Sequence, residues 1–129
     1  MSQAATGKKK EIYTYQSPWT AYTISWCGRE DAVNKFKIAI GSYKEEYSNS
    51  LTIIQLKNND NHTGDDTDRS FVKICEAEHP YPATKIMWAP STLDPTLGTG
   101  QAGSSPQQDL IATTGDYLRL WSVSEDKCE

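Results

Sequence analysis

The side chains able to do chemistry are few and scattered along the 129 residues. Cys75 and His79 have a metal-ligand spacing, yet no second pair lies where it would complete a tetrahedral site. Asp60, Asp65, Asp66 and Asp68 crowd around Gly64, but a calcium loop counted from Asn59 would need its closing Glu where Ser70 stands. Neither His62 nor His79 has a nucleophile and an acid beside it in sequence, so nothing invites a triad. Gly98-Thr99-Gly100 with Gly103 lacks the Lys-Ser/Thr and the strand–loop–helix setting of a phosphate loop. Neither a cofactor nor a metal is expected, and the chain is read as not an enzyme.

Composition narrows the partner classes. The formal net charge is −4, and Lys8-Lys9-Lys10 are too few to make a nucleic-acid patch in an acidic chain, so direct nucleic-acid binding is not expected. No stretch approaches the roughly 18 apolar residues of a membrane span, and the start of the chain has no apolar segment of the kind a secretory signal carries. Cys27, Cys75 and Cys128 are odd in number and unrelated in spacing, which reads as reduced thiols in a cytoplasmic and/or nuclear protein.

The elements that would position any binding residues read as strands. The four Trp and seven Tyr suit half-buried sheets and interfaces. Glu11–Tyr15, Tyr22–Trp26, Phe36–Ile40, Leu51–Leu56, Phe71–Cys75, Lys85–Trp88, Leu110–Thr113 and Tyr117–Val123 are short alternating candidates. Gly28–Lys37 has too few apolar residues for a helix. The expected organisation is a basic tail (1–9), a closing strand plus first-blade strands (10–56) and a polar loop (57–70). A second blade (71–123) interrupted by a low-complexity loop (91–108) and a truncated end (124–129) follow, and both loops read as mobile.

An internal repeat organises these candidates. Pro18–Trp26 aligns without gaps on Pro80–Trp88, Lys37–Gly41 on Leu110–Thr114, and Leu51–Leu56 on Leu118–Val123. With Glu11–Tyr15 and Phe71–Cys75 ahead of each copy, the unit becomes four short antiparallel strands, as in a propeller blade. The fold expected is an all-β, β-propeller fragment of about two blades that does not close.

Several segments carry a family resemblance: Lys10-Glu11-Ile12-Tyr13, Pro18-Trp19-Thr20, Gly41-Ser42 with Glu45-Glu46-Tyr47, His79-Pro80-Tyr81-Pro82 with Met87-Trp88, and Gly115-Asp116-Tyr117-Leu118-Arg119 with Trp121. From about Lys9 to Val123 the chain resembles the WD-repeat proteins, in particular the group of plant TRANSPARENT TESTA GLABRA, the anthocyanin-regulating WD-repeat protein, and their animal and fungal relatives. The resemblance implies a seven-bladed, non-catalytic scaffold for protein–protein interactions, with transcription factors, protein kinases or ubiquitin-ligase components as partners. It also implies that Glu11–Tyr15 completes a distant blade, that Tyr117–Val123 is left as an open apolar edge, and that His79 hydrogen-bonds within its blade. Trp26, Trp88 and Trp121 are expected to pack between blades. The alternative reading is a self-contained small β domain that oligomerises or binds a ligand through its open edge.

Alternate connections of up-and-down strands lie at opposite ends of a sheet. Lys57–Ser70 and Ser91–Gln108 fall at one end, and Gln16–Trp19, Gly41–Asn49, Glu76–Pro82 and Thr114–Asp116 at the other. The second end holds aromatic and acidic residues of the kind interfaces use: Trp19, Tyr43, Glu45, Glu46, Tyr47 and Tyr81. These six are the expected protein-contact residues.

Overall fold

Alternating side chains become seven strands in the computed structural model, which describes residues 10–31, 35–59, 69–90, 109–124 and 127–129. They are β1 (Thr20–Trp26), β2 (Lys37–Tyr43), β3 (Asn49–Asn58), β4 (Arg69–His79), β5 (Lys85–Trp88), β6 (Asp109–Thr114) and β7 (Leu118–Val123). Hydrogen bonds sort them into an open four-stranded sheet, β1-β2-β3-β4, and an open three-stranded sheet, β5-β6-β7. All neighbours are antiparallel, and no helix occurs among the described residues. The architecture is the unclosed, all-β pair of blades expected from the repeat.

The sequence repeat is also a repeat of register. Ile24 pairs with Ile40 and Trp26 with Ile38, while Ile86 pairs with Thr113 and Trp88 with Ile111. Further out, Ile38 pairs with Ile54 and Ile40 with Thr52, matching Ile111 with Trp121 and Thr113 with Arg119. Every one of these pairs falls on equivalent positions of the two repeats. Since one residue of slip would turn each strand's apolar set to the other face, this agreement fixes which side chains are equivalent.

Glu11–Tyr15 pairs with no described strand, and the distant blade it is expected to complete is not among the two described sheets. Two expectations need correction. Phe71–Cys75 does not lead the second unit. It lies inside β4, the outer strand of the first sheet, laddered to β3 from Asn49↔His79 to Asn58↔Arg69 with a single irregularity at Ile53/Ile54. Tyr117–Val123 is not a fully open edge either, since residues 127–129 lie along its end. Ser122 N–H donates to Glu129 O (2.5 Å), Glu129 N–H to Ser122 O (2.9 Å), and Cys128 bridges Val123.

The core lies between the facing sheets. Ala39, Leu51, Ile53 and Cys75 from the first meet Ala83, Ile86, Ile111 and Val123 from the second, with Trp88 and Trp121 packed against them. Leu51, Ile53 and Ile111 are fully buried, each contributing roughly 2 kcal/mol by area removed from water. Gly41 permits the close approach, for a Cβ there would stand 3.3 Å from Ile86 Cδ1 and 3.4 Å from Ala83 Cβ. The expectation of three reduced thiols is overturned as well: Cys75 and Cys128 form a disulfide, leaving Cys27 free and buried. Loop residues 60–68 and 91–108 lie outside the described residues, together with Lys8, Lys9, His62 and the aspartates at 60, 65, 66 and 68.

Candidate protein-contact face

The lead-in to β1, the β2–β3 turn, the β4–β5 link and the β6–β7 turn gather at one end of the sheets, as antiparallel connectivity requires. Each is braced from below. Asn49, buried at the start of β3, accepts from Ser42 Oγ (3.0 Å) and from Lys44 N–H (2.8 Å) and donates to Glu46 O (3.3 Å). Ser42 Oγ in turn accepts Ser50 N–H at 2.8 Å. This polar knot holds the turn that carries Glu45, Glu46 and Tyr47, all exposed.

Ser17 ties down the approach of the chain to β1, donating to Trp19 O at 2.6 Å. The Lys44 ammonium then lies 4.8 Å from the Trp19 ring centroid, a cation–π contact, and Tyr22 and Tyr43 rings meet at 5.6 Å. On the second sheet Asp116 forms an ion pair with Arg119, whose guanidinium also lies 5.6 Å from the Tyr117 ring centroid. The Arg119 hydrogen bonds hold the Asp116 carboxyl well below the usual carboxylate range. Gly115 fits this turn under Pro82, whose carbonyl would stand 3.1 Å from an added Cβ.

The six residues expected at this face therefore divide. Trp19 and Tyr43 belong to two adjoining ring contacts on the first sheet, Glu45, Glu46 and Tyr47 project from its turn, and Tyr81 is exposed on the link to the second. Sequence reasoning missed Tyr22, Lys44 and Tyr117. Tyr117 sits in the Gly115–Arg119 motif, and Lys44 is flanked by Tyr43 and Glu45, so position in the turn was the available signal for both.

Beneath the face, His79 joins the sheets. It is 1% exposed at the end of β4, and its Nε2 lies 3.0 Å from Thr113 Oγ1 on β6. Trp121 Nε1–H donates to the same oxygen at 2.9 Å. Tyr81 O can only accept, so His79 Nδ1 carries a proton and donates to it at 2.5 Å; in the neutral ring Nε2 then accepts the Thr113 hydroxyl proton. His79 thus bonds to Tyr81 and Thr113, both within the unit 71–123 where its hydrogen bonds were expected, and both its nitrogens serve structure. Cys75, its supposed co-ligand, is in the disulfide. No cluster of metal-ligand residues occurs among the described residues.

The opposite end is pinned by charge. Asp109, buried at the start of β6, receives Arg29 Nε at 2.7 Å and Lys37 Nζ at 3.3 Å from the first sheet. Along the seam Trp88 Nε1–H donates to Ser25 O (2.9 Å) and Thr23 Oγ–H to Ala83 O. Trp88 and Trp121 pack between the sheets, as expected of the tryptophans, whereas Trp26 faces outward and is mostly exposed. The result is a platform that presents aromatic and charged side chains, with the hydroxyl–imidazole pair of Thr113 and His79 buried beneath it.

Three relatives share this sequence over most of its length. The chain is 45% identical over 121 residues, 93% of its length, to the Dictyostelium discoideum "DDB1- and CUL4-associated factor 7 homolog". It is 32% identical over 115 residues to an uncharacterized WD repeat-containing protein of Schizosaccharomyces pombe, and 29% identical over 116 residues to a WD repeat-containing protein of Saccharomyces cerevisiae. These matches cover 88% and 90% of the chain, but the chain spans only 30%, 23% and 17% of the three relatives in turn. No family model matches the chain. No solved structure matches it significantly.

Proposed function

We propose that this chain, whose relatives are WD-repeat proteins, is part of a non-catalytic scaffold that binds other proteins through the turn-bearing end of its sheets. The observation that carries this reading is the set of exposed aromatics on short, hydrogen-bonded turns: Tyr43, Tyr47 and Tyr81, beside half-buried Trp19 and acidic Glu45 and Glu46. Aromatic side chains on a braced backbone lose little conformational freedom on binding, which is why interfaces favour them.

A ubiquitin-ligase component is the partner class best supported, since the relative 45% identical to the chain is called DDB1- and CUL4-associated. Transcription factors and protein kinases remain the partner classes implied by resemblance to the TRANSPARENT TESTA GLABRA group, a kinship that rests on the motif residues alone. The compartment that suits such partners is the cytoplasm or nucleus.

Binding of the purified chain to immobilised DDB1 tests both site and partner. Trp19→Ala and Tyr81→Ala are expected to weaken binding at least tenfold with the melting temperature unchanged. No binding by the unaltered chain would overturn the partner, and full affinity in both variants would overturn the site.

A further inference from the structure

Three lines of bonds join the two sheets. On one side β1 meets β5, where Thr23 Oγ–H donates to Ala83 O and the Trp88 indole N–H to Ser25 O. Between the middle strands, Lys37 of β2 reaches Asp109 of β6. On the other side β4, the last strand of the first sheet, reaches the second through His79 and through the Cys75–Cys128 disulfide. Cys128 follows β7, and its segment is held there by the reciprocal Ser122–Glu129 backbone pair and by Ser124 N–H donating to Lys127 O at 2.8 Å. So short a ladder is marginal by itself. The disulfide anchors the segment to the first sheet.

The register shows why Cys75 points there. The β3–β4 ladder passes from Ile53↔Cys75 to Ile54↔Lys73, so Ile74 is an extra residue, and a bulge of this kind re-aims the side chain beside it. From that point the strand alternates, turning buried Cys75 and His79 toward the second sheet and exposed Glu76 and Glu78 away from it. The Cα atoms of Cys75 and Cys128 stand 6.0 Å apart, inside the range that a disulfide spans, so re-forming the bond needs no rearrangement of the sheets. The surroundings of the two sulfurs differ. Cys75 is 5% exposed, whereas Cys128 is half-buried between exposed Lys127 and Glu129.

We propose that Cys75 and Cys128 form a reversible redox latch between the sheets, closed as the disulfide and opened by a small cellular thiol of the glutathione type. In the cytoplasm or nucleus, the compartments proposed above, thiols are kept reduced, and the disulfides that do form are transient or redox-sensing. A glutathione thiolate attacks Cys128 Sγ, the more accessible sulfur. The S–S bond breaks, and Cys75 leaves as the thiolate and takes a proton from water. A second glutathione thiolate attacks the glutathione sulfur of the mixed disulfide, which releases the Cys128 thiolate, protonated in turn, and forms glutathione disulfide. Two electrons pass to the protein, and glutathione disulfide takes them back by the reverse route. The β1–β5 bonds, the Asp109 ion pairs and the His79 contact persist in both states. The reduced chain therefore stays folded while residues 127–129 come away from β7.

Equilibration of the full chain in mixtures of reduced and oxidised glutathione, read by alkylation and mass spectrometry, tests this. The pair should pass from disulfide to dithiol as the mixture becomes reducing, with a cooperative melting transition throughout, and return when the ratio is reversed. The mixed disulfide trapped on the way should carry glutathione on Cys128. On reduction the Ser122 amide should lose protection from hydrogen exchange, while the amides of the central strands β2, β3 and β6 keep theirs. Cys27→Ser should give the same titration. A bond that opens only when the chain unfolds would overturn the proposal and mark a permanent staple. So would a reduced chain that no longer melts cooperatively, a Ser122 amide protected equally in both states, an adduct on Cys75 alone, or a titration that needs Cys27. None of these readouts uses DDB1, so failure of the latch leaves the scaffold reading standing.

Discussion

The His79 imidazole and the Thr113 hydroxyl stand 3.0 Å apart across the junction of the two sheets, and that hydroxyl also takes the Trp121 indole N–H. One oxygen thereby satisfies two buried ring groups from different strands. Thr113→Val keeps the shape and removes the oxygen, leaving both ring nitrogens without this partner. The expected loss is about 1–3 kcal/mol, the cost of stranding buried polar groups. Thr113→Ser should recover most of it. Urea unfolding followed by Trp fluorescence gives both values.

At the other end Asp109 carries the ionic contact between sheets, facing Arg29 and Lys37. Removing one partner of a buried pair leaves the remaining charge in a poorly hydrated site, so Asp109→Ala should cost about 3 kcal/mol. Arg29→Ala should cost clearly less, because the Arg29 side chain is more accessible to water. Added salt should narrow neither difference much, in contrast to a surface pair. Paired urea titrations at low and high salt check this.

Alternation and repeat made most of the strands legible, and the repeat alignment matches the hydrogen-bond register pair for pair. What failed were assignments set by contacts distant in sequence. Phe71–Cys75 was grouped with the sequence that follows it, whereas its ladder runs back to β3. The Asp109–Lys37 pair has no signal in the sequence, because only the fold brings positions 72 residues apart together. At the candidate face, sequence gave the aromatic turns but not the Lys44–Trp19 contact, which needs the lead-in to fold over the β2–β3 turn.

The β6–β7 turn should be unusually resistant to acid. Arg119 lowers the Asp116 pKa in the folded state, so the pair contributes stability above the unfolded carboxylate value near 4 and loses it as pH falls through the depressed folded value. The Asp116 carboxyl carbon, followed by NMR, should therefore titrate well below the ordinary carboxylate range. In Arg119→Ala it should return to the ordinary range. An Asp116 that titrates in the ordinary carboxylate range in the unaltered chain would refute the pairing in solution.

The cysteines should separate into two reactive classes. Burial pushes the Cys27 thiol pKa up, and the thiolate is the species that reacts. Timed alkylation at neutral pH, read by mass spectrometry, should leave Cys27 unmodified until the chain unfolds. After reduction Cys128, half-buried near the chain end, should label first and Cys75, buried in β4, more slowly. Cys75 and Cys128 are 53 residues apart, and closing a loop of that size restricts the unfolded chain by up to about 4 kcal/mol. Cys128→Ser should lower stability by no more than that. Protection of the Ser122 amide from hydrogen exchange should fall with it, since the disulfide holds residues 127–129 against β7. Unchanged protection would show that the backbone pairing of Ser122 with Glu129 holds the segment by itself.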